Sequence, residues 1–169
     1  MKKYLFLTFF ALLAFAVKAQ DESGDIVKVG DRMPAFTIVN DNGAKTPSSS
    51  LKGKVVLVNF FATWCPPCQK ELAEVQKMLW PKLKDNRDFV LLVVGREHTD
   101  AELRTYNEKK GFAFPLYPDK NRAVYGAFAK NLIPRSYLVD KAGKVVYATK
   151  GYTDEEFAEL MQKIETALK

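Results

Sequence analysis

Residues Val55 to Leu72 constrain this chain more than any other stretch. They read Val-Val-Leu-Val-Asn-Phe-Phe-Ala-Thr-Trp-Cys-Pro-Pro-Cys-Gln-Lys-Glu-Leu. The opening run is apolar apart from Asn59, too short for a good helix, and rich in β-branched and aromatic residues. That predicts a buried strand with both faces covered. The chain then turns at Thr63 and Trp64. Two prolines follow Cys65, and proline suits the first turn of a helix, where N–H groups have no partner inside the helix. Pro66 and Pro67 therefore open a helix, and Cys65 sits at its N-terminal edge.

That placement has chemical consequences. A helix N-terminus carries partial positive charge and free N–H donors, which favour an anion. The Cys65 thiol should ionise more readily than a free cysteine. Cys68 lies one turn further in and is more enclosed. Cys65 is thus the expected attacking thiolate and Cys68 the resolving thiol of a dithiol–disulfide exchange through a mixed disulfide. The competing readings are a fixed disulfide and half of a zinc site. A closed zinc site needs four ligands, and the chain offers two cysteines and one histidine, so no metal is expected. A CxxC bridge closes a very short loop and restrains the unfolded chain little, which argues against an inert staple.

The run Phe-Phe-Ala-Thr-Trp-Cys-Pro-Pro-Cys resembles the thioredoxin superfamily, and most closely its exported TlpA/ResA-type branch. The resemblance extends from about Gly30 to the C-terminus. It implies an α/β thioredoxin-like fold: a central mixed β-sheet flanked by helices, an N-terminal β-hairpin, and a helical insertion between the two halves. It also implies a thiol–disulfide oxidoreductase that supplies reductant to extracytoplasmic thiols without a bound cofactor. Its partners would be protein disulfide substrates, apocytochromes awaiting haem (cytochrome c biogenesis) among them, and a membrane-embedded thiol reductase as electron donor. Ile133-Pro134 falls where thioredoxin-like proteins carry a cis proline against the cysteine pair. Ile133 and Pro134, with Trp64, Pro66 and Pro67, are the expected substrate-facing residues.

Some residues depart from the pattern. Asn59 stands where many cytosolic thioredoxins have a buried Asp, and Asn cannot take a proton. The acid–base helper for Cys68 is therefore unidentified. Glu71 reads as a solvated helix residue, and Glu97 is a candidate by location alone. Arg135 follows the proline where a small residue is frequent. Alternation along a strand favours a surface charge; turned toward the sulfurs instead, its guanidinium would favour the Cys65 thiolate and attract acidic or polar substrate segments. His98 reads as a polar loop residue rather than as a nucleophile's partner.

Met1 to Gln20 stands apart. Lys2 and Lys3 precede an apolar run from Leu5 to Val17, and Val17-Lys18-Ala19 suits a signal-peptidase site. Residues 1–19 are read as a signal peptide, 20–31 as a flexible leader, and 32–169 as the thioredoxin-like domain. The expected location is the periplasm. The alternative is an uncleaved N-terminal anchor facing the same compartment. A lipoprotein anchor needs a cysteine after the apolar run, and the only cysteines are 65 and 68. The formal charge of +6 includes Lys2, Lys3 and Lys18, so the processed chain is near +3. With no basic run interleaved with aromatics, nucleic acid is not an expected partner. A monomer is expected.

Along the rest of the chain, Pro34–Asn40 reads as a strand before an Asn-Asp-Asn-Gly turn, and Thr46–Gly53 as a loop. The CxxC helix should carry Leu72, Val75, Met78 and Leu79 on its buried face and end or kink at Pro81. Phe89–Val94 is a second strand, Thr99–Lys110 a helix, Phe114–Tyr117 an extended piece, and Asp119–Lys130 a further helix. A hairpin over Arg135–Thr149 precedes a closing helix capped by Thr153 and Glu156. Two other functions share the fold: a thiol peroxidase, whose attacking cysteine usually sits in a different local motif, and a non-catalytic binding module.

Overall fold

The computed structural model describes residues 24–39 and 43–169. The expected signal segment, residues 20–23 and the Asn40–Asn42 part of the turn lie outside the described residues.

The central strand is β3, Val55–Phe61, buried throughout. Its side chains alternate between two cores. Val55, Leu57 and Phe61 face one, and Val56, Val58 and Phe60 face the other. On one side β3 pairs in parallel with β4 (Phe89–Arg96), which pairs in parallel with β5 (Leu116–Asp119). On its other side it pairs antiparallel with β6 (Arg135–Val139), which pairs antiparallel with β7 (Val145–Lys150). The sheet order is thus β5-β4-β3-β6-β7, with a separate hairpin of β1 (Thr37–Val39) and β2 (Lys45–Pro47). This is the mixed α/β thioredoxin-like architecture with an N-terminal hairpin.

Helix α1, Pro66–Glu74, and the closing helix α5, Asp154–Leu168, cover one face through Leu72, Phe157, Leu160 and Ile164. The other face packs on Ile38, Leu51, Tyr125 and Phe128. Of the two outcomes expected at Pro81, an end or a kink, the helix does not end. It runs through a π-helical turn, Val75–Leu79, into α2, Trp80–Leu83. A proline ring clashes with the carbonyl four residues earlier. The wide turn absorbs this, with Trp80 N–H donating five residues back to Val75 O. The same turn shifts the register, so Met78 is exposed rather than in the core.

The insertion holds α3, Asp100–Lys110, closed by Thr99 and Glu102 in a capping box and by Gly111 in the left-handed region at φ 68°. The helix expected over Asp119–Lys130 is a single short α4, Tyr125–Phe128. Asp119 ends β5, and its carboxylate accepts from the backbone N–H groups of Val124 (3.0 Å) and Tyr125 (2.8 Å). It fastens a loop instead of opening a helix.

The leader also differs from expectation. From Gly24 onward it is bonded to the domain. Ile26 and Val27 N–H both donate to Phe128 O at 3.0 Å, and Val145 N–H donates to Asp31 O at 2.9 Å. Val27 enters the core beside Phe128. Among the described residues no helix is long and apolar enough to cross a membrane.

Candidate active site

The carboxyl end of β3 delivers Ala62–Cys65 to the edge of the sheet. Cys65 N–H donates back to Ala62 O at 3.1 Å, which tightens the turn. Cys65 then serves as N-cap of α1. Its extended backbone precedes Pro66, and its Sγ accepts from Cys68 N–H at 3.3 Å. The sulfur therefore sits on the free donors of a helix N-terminus. Cys65 and Cys68 are joined as a disulfide. Cys65 keeps 4% of its surface and Cys68 none, so the first sulfur is the one a partner can reach.

Across from them, Cys65 Sγ lies 3.9 Å from the carbonyl oxygen of Ile133, and the Ile133–Pro134 bond is cis. The structure thus brings Cys65, Cys68, Ile133 and Pro134 together. Trp64 stands out at 63% exposed, with the Arg96 guanidinium 5.8 Å from its ring. Pro66 and Pro67 are exposed and line an open groove with Lys70 and Tyr152.

Glu71 corrects the sequence reading. It is not solvated but buried, at 3% exposure, one helical turn beyond Cys68 and so on the same helix face. Burial raises its carboxyl to about 7, against hydrogen bonds from Ser136 and Asn59 that favour the charged form. Ser136 Oγ–H donates to Glu71 Oε1 at 2.8 Å and accepts from Asn59 Nδ2 at 2.9 Å. Glu71 Oε2 and Asn59 Oδ1 are buried without a hydrogen-bond partner. A proton on Oε2 would turn one of these two acceptors into a donor. The spacing could have revealed this, because the apolar face through Cys68, Leu72 and Val75 passes beside position 71. Glu97, the other candidate, is exposed at φ 66° and pairs with Arg96 (3.2 Å) and Arg122 (3.6 Å).

His98 is likewise no simple loop residue. It is 6% exposed, and its Nε2 accepts from Thr63 N–H at 3.0 Å, two residues before Cys65. Nδ1 faces Glu102 at 3.8 Å. Burial lowers the His98 pKa, partly opposed by Glu102. Gln69 grips the same turn, its Nε2 donating to Thr63 O at 2.9 Å while its Oε1 accepts from Lys110 Nζ.

Arg135 points away from the sulfurs, as alternation predicts, but it is not a surface charge. It is 1% exposed, ion-paired with Asp25, and its Nε donates to Asn131 O at 2.8 Å. The leader covers it, which is why a reading of the strand alone leaves it in solvent.

The redoxin family profile matches residues 28–164. The chain belongs to the redoxin family. It is 32% identical over 139 residues to the thiol-disulfide oxidoreductase ResA of Bacillus thuringiensis, covering 82% of this chain and 79% of that one. A Bacteroides thetaiotaomicron protein solved in solution superposes with a TM-score of 0.81 at 37% identity, over 86% of this chain and 92% of the other. A thioredoxin-family thiol:disulfide interchange protein of Chlorobium tepidum gives a TM-score of 0.63 at 29% identity, over 84% and 99%. This redoxin is therefore a thiol–disulfide oxidoreductase of the ResA/TlpA type within the thioredoxin superfamily.

Proposed function

We propose that this redoxin is exported and reduces disulfides in other extracytoplasmic proteins, with Cys65 as nucleophile and Cys68 as resolving thiol. The observation that carries the reading is Cys65 Sγ at the α1 N-terminus, against the Ile133 carbonyl, with Cys68 enclosed behind it. In the reduced protein the Cys65 thiolate attacks a substrate disulfide. A mixed disulfide forms and one substrate thiolate leaves, taking a proton from water. Cys68 then gives its proton to Glu71 and attacks Cys65 Sγ. The second substrate thiolate departs, and two electrons have moved from the dithiol to the substrate. A carboxyl raised to about 7 suits this transfer, since general acid–base groups work best near the operating pH. A membrane-embedded thiol reductase restores the dithiol, and apocytochromes awaiting haem are among the substrates. Trp64, Pro66, Pro67, Ile133 and Pro134 form the substrate-facing surface. The protein is a monomer of the periplasm, delivered by the segment 1–19 or held there by it.

Two features support the reducing direction. Pro-Pro supplies no charge between the sulfurs, and the Arg135 guanidinium is engaged by Asp25 and Asn131 on the other face of the sheet. A strong oxidant needs a highly stabilised thiolate. The potential should lie nearer the thioredoxin value of about −270 mV than the strong-oxidant value of about −120 mV. Equilibration of the purified protein against glutathione measures it. A value near the oxidant end would reverse the proposed direction.

A further inference from the structure

The loop that presents Ile133 and Pro134 is held from a distant part of the chain. Lys130 N–H donates to Gly24 O at 2.8 Å, and Asp25 forms a β-bridge with Ala129. Arg135, directly after the proline, reaches back to Asn131 O with its Nε and forward to Asp25 with its Nη1. The second oxygen of Asp25 accepts from Lys150 Nζ at 3.1 Å. Gly24 is at φ 66° and packs so closely on the loop that a Cβ there would lie 1.9 Å from Asn131 Oδ1. Within the loop Leu132 is itself left-handed, at φ 67°, and 56% exposed, and its carbonyl accepts from the Tyr125 hydroxyl at 2.7 Å.

We propose that Gly24–Val27 is a brace for the substrate wall and that Asp25 and Arg135 are positioning residues, fixing the loop that carries Ile133 beside Cys65. A partner polypeptide laid along this wall binds through backbone groups that must be held in place beforehand. A loosened loop has to be ordered on binding, which weakens association. The brace therefore governs capture of a protein disulfide and not the exchange at sulfur. A small disulfide meets Cys65 without lying along the wall and is indifferent to the brace. The proposal rests on the oxidoreductase reading above.

The test compares the reduced purified protein with Asp25→Ala and Gly24→Ala in single-turnover reduction of insulin and of dithiobis(nitrobenzoate). Both variants should raise the half-saturating insulin concentration about tenfold, equivalent to about 1.4 kcal/mol. The limiting rate on insulin and the rate on the small disulfide should change less than about twofold. The Lys130 amide hydrogen, held by Gly24 O, should exchange faster, and Asp25→Asn, which keeps a hydrogen-bonding group without the charge, should fall between. Parallel losses on both disulfides, or no loss on insulin in the folded variants, would overturn the brace. Gly24→Ala leaves both charges in place and carries the test if Asp25→Ala does not fold. A wild-type protein that reduces neither disulfide would instead remove the oxidoreductase reading, and the brace with it.

Discussion

The two sides of the site are held in different ways. The thiol side, Thr63 to Gln69, is organised mainly by its neighbours in sequence: the end of β3, the turn closed by Cys65 on Ala62, and a helix opened by Pro66. The wall side, Asn131 to Arg135, is organised by contacts across the chain, above all the Asp25–Arg135 pair, buried at its arginine end. Local construction tolerates loss of one contact, because turn and helix geometry persist without it. The wall side concentrates its support in a few desolvated polar groups, where an unpaired partner is costly. The thiol side should therefore fail in chemistry, and the wall side in stability and capture.

The largest effects test the chemistry. Cys65→Ala should abolish reduction of any disulfide and trap no partner. Cys68→Ala should accumulate mixed disulfides, visible as higher-mass species on non-reducing gels. Equal trapping by both variants would remove the division of roles. Next comes the wall. Asp25→Ala takes the carboxylate away from the Arg135 guanidinium, 1% exposed, and breaking such a pair costs about 3 kcal/mol or more. Urea unfolding measures this. A loss below about 1 kcal/mol would mean that the pair behaves as a surface salt bridge, and the contrast between the two sides would collapse.

The same contrast explains what the sequence made legible. The strand over Val55–Phe61, the helix opened by Pro66 and the capping box at Thr99 each follow from residues a few positions apart. The π-helical turn at Val75–Leu79 follows only when the demand of Pro81 for space is weighed against a helix that packs well on both sides of it. The roles of Glu71, His98 and Arg135 depend on partners from 35 to 110 positions away. No local pattern announces Ser136 beneath Glu71 or Asp25 above Arg135. Glu71 and Arg135 read as solvated, and His98 as a polar loop residue, because a lone charged or polar side chain is usually exposed.

Glu71→Gln sharpens the comparison from inside the thiol side. The substitution keeps the shape and removes the proton acceptor. Cys68 must then ionise unaided, and loss of a general base costs about a hundredfold or more. The resolving step of the wild type should rise as Glu71 ionises near pH 7, and the variant should lack that limb. Stability moves the opposite way. The folded carboxyl is raised from 4.5 to about 7, so the unfolded chain releases its proton first as pH climbs. Wild-type stability should therefore fall between those values and then level, by about 3 kcal/mol at about 1.4 kcal/mol per pKa unit. Glu71→Gln should lack this fall in urea titrations. A wild type with the same pH profile as the variant would mean that Glu71 is ionised in the fold.

His98 carries the smallest expected effect and the opposite sign. Its Nε2 must be unprotonated to accept from Thr63 N–H. Protonation would set two donors against each other, and the buried ring resists it, so the folded pKa lies below the usual 6.5. Between those two values the unfolded chain binds the proton and the folded chain does not. Stability is thus full above pH 6.5 and is lost as pH falls below it. This window overlaps that of Glu71, where the slope runs the other way, so the two terms separate only in the single variants. His98→Ala leaves the Thr63 amide without its acceptor, at a cost of about 1–3 kcal/mol if water does not enter. Because Gln69 still holds the Thr63 carbonyl at 2.9 Å, the turn should loosen without unfolding. The expected result at neutral pH is a few-fold slower attack by Cys65, about 1 kcal/mol, with faster hydrogen exchange at the Thr63 amide. Unchanged protection of that amide in His98→Ala would show that the turn holds itself, and that the thiol side is organised wholly by its neighbours in sequence.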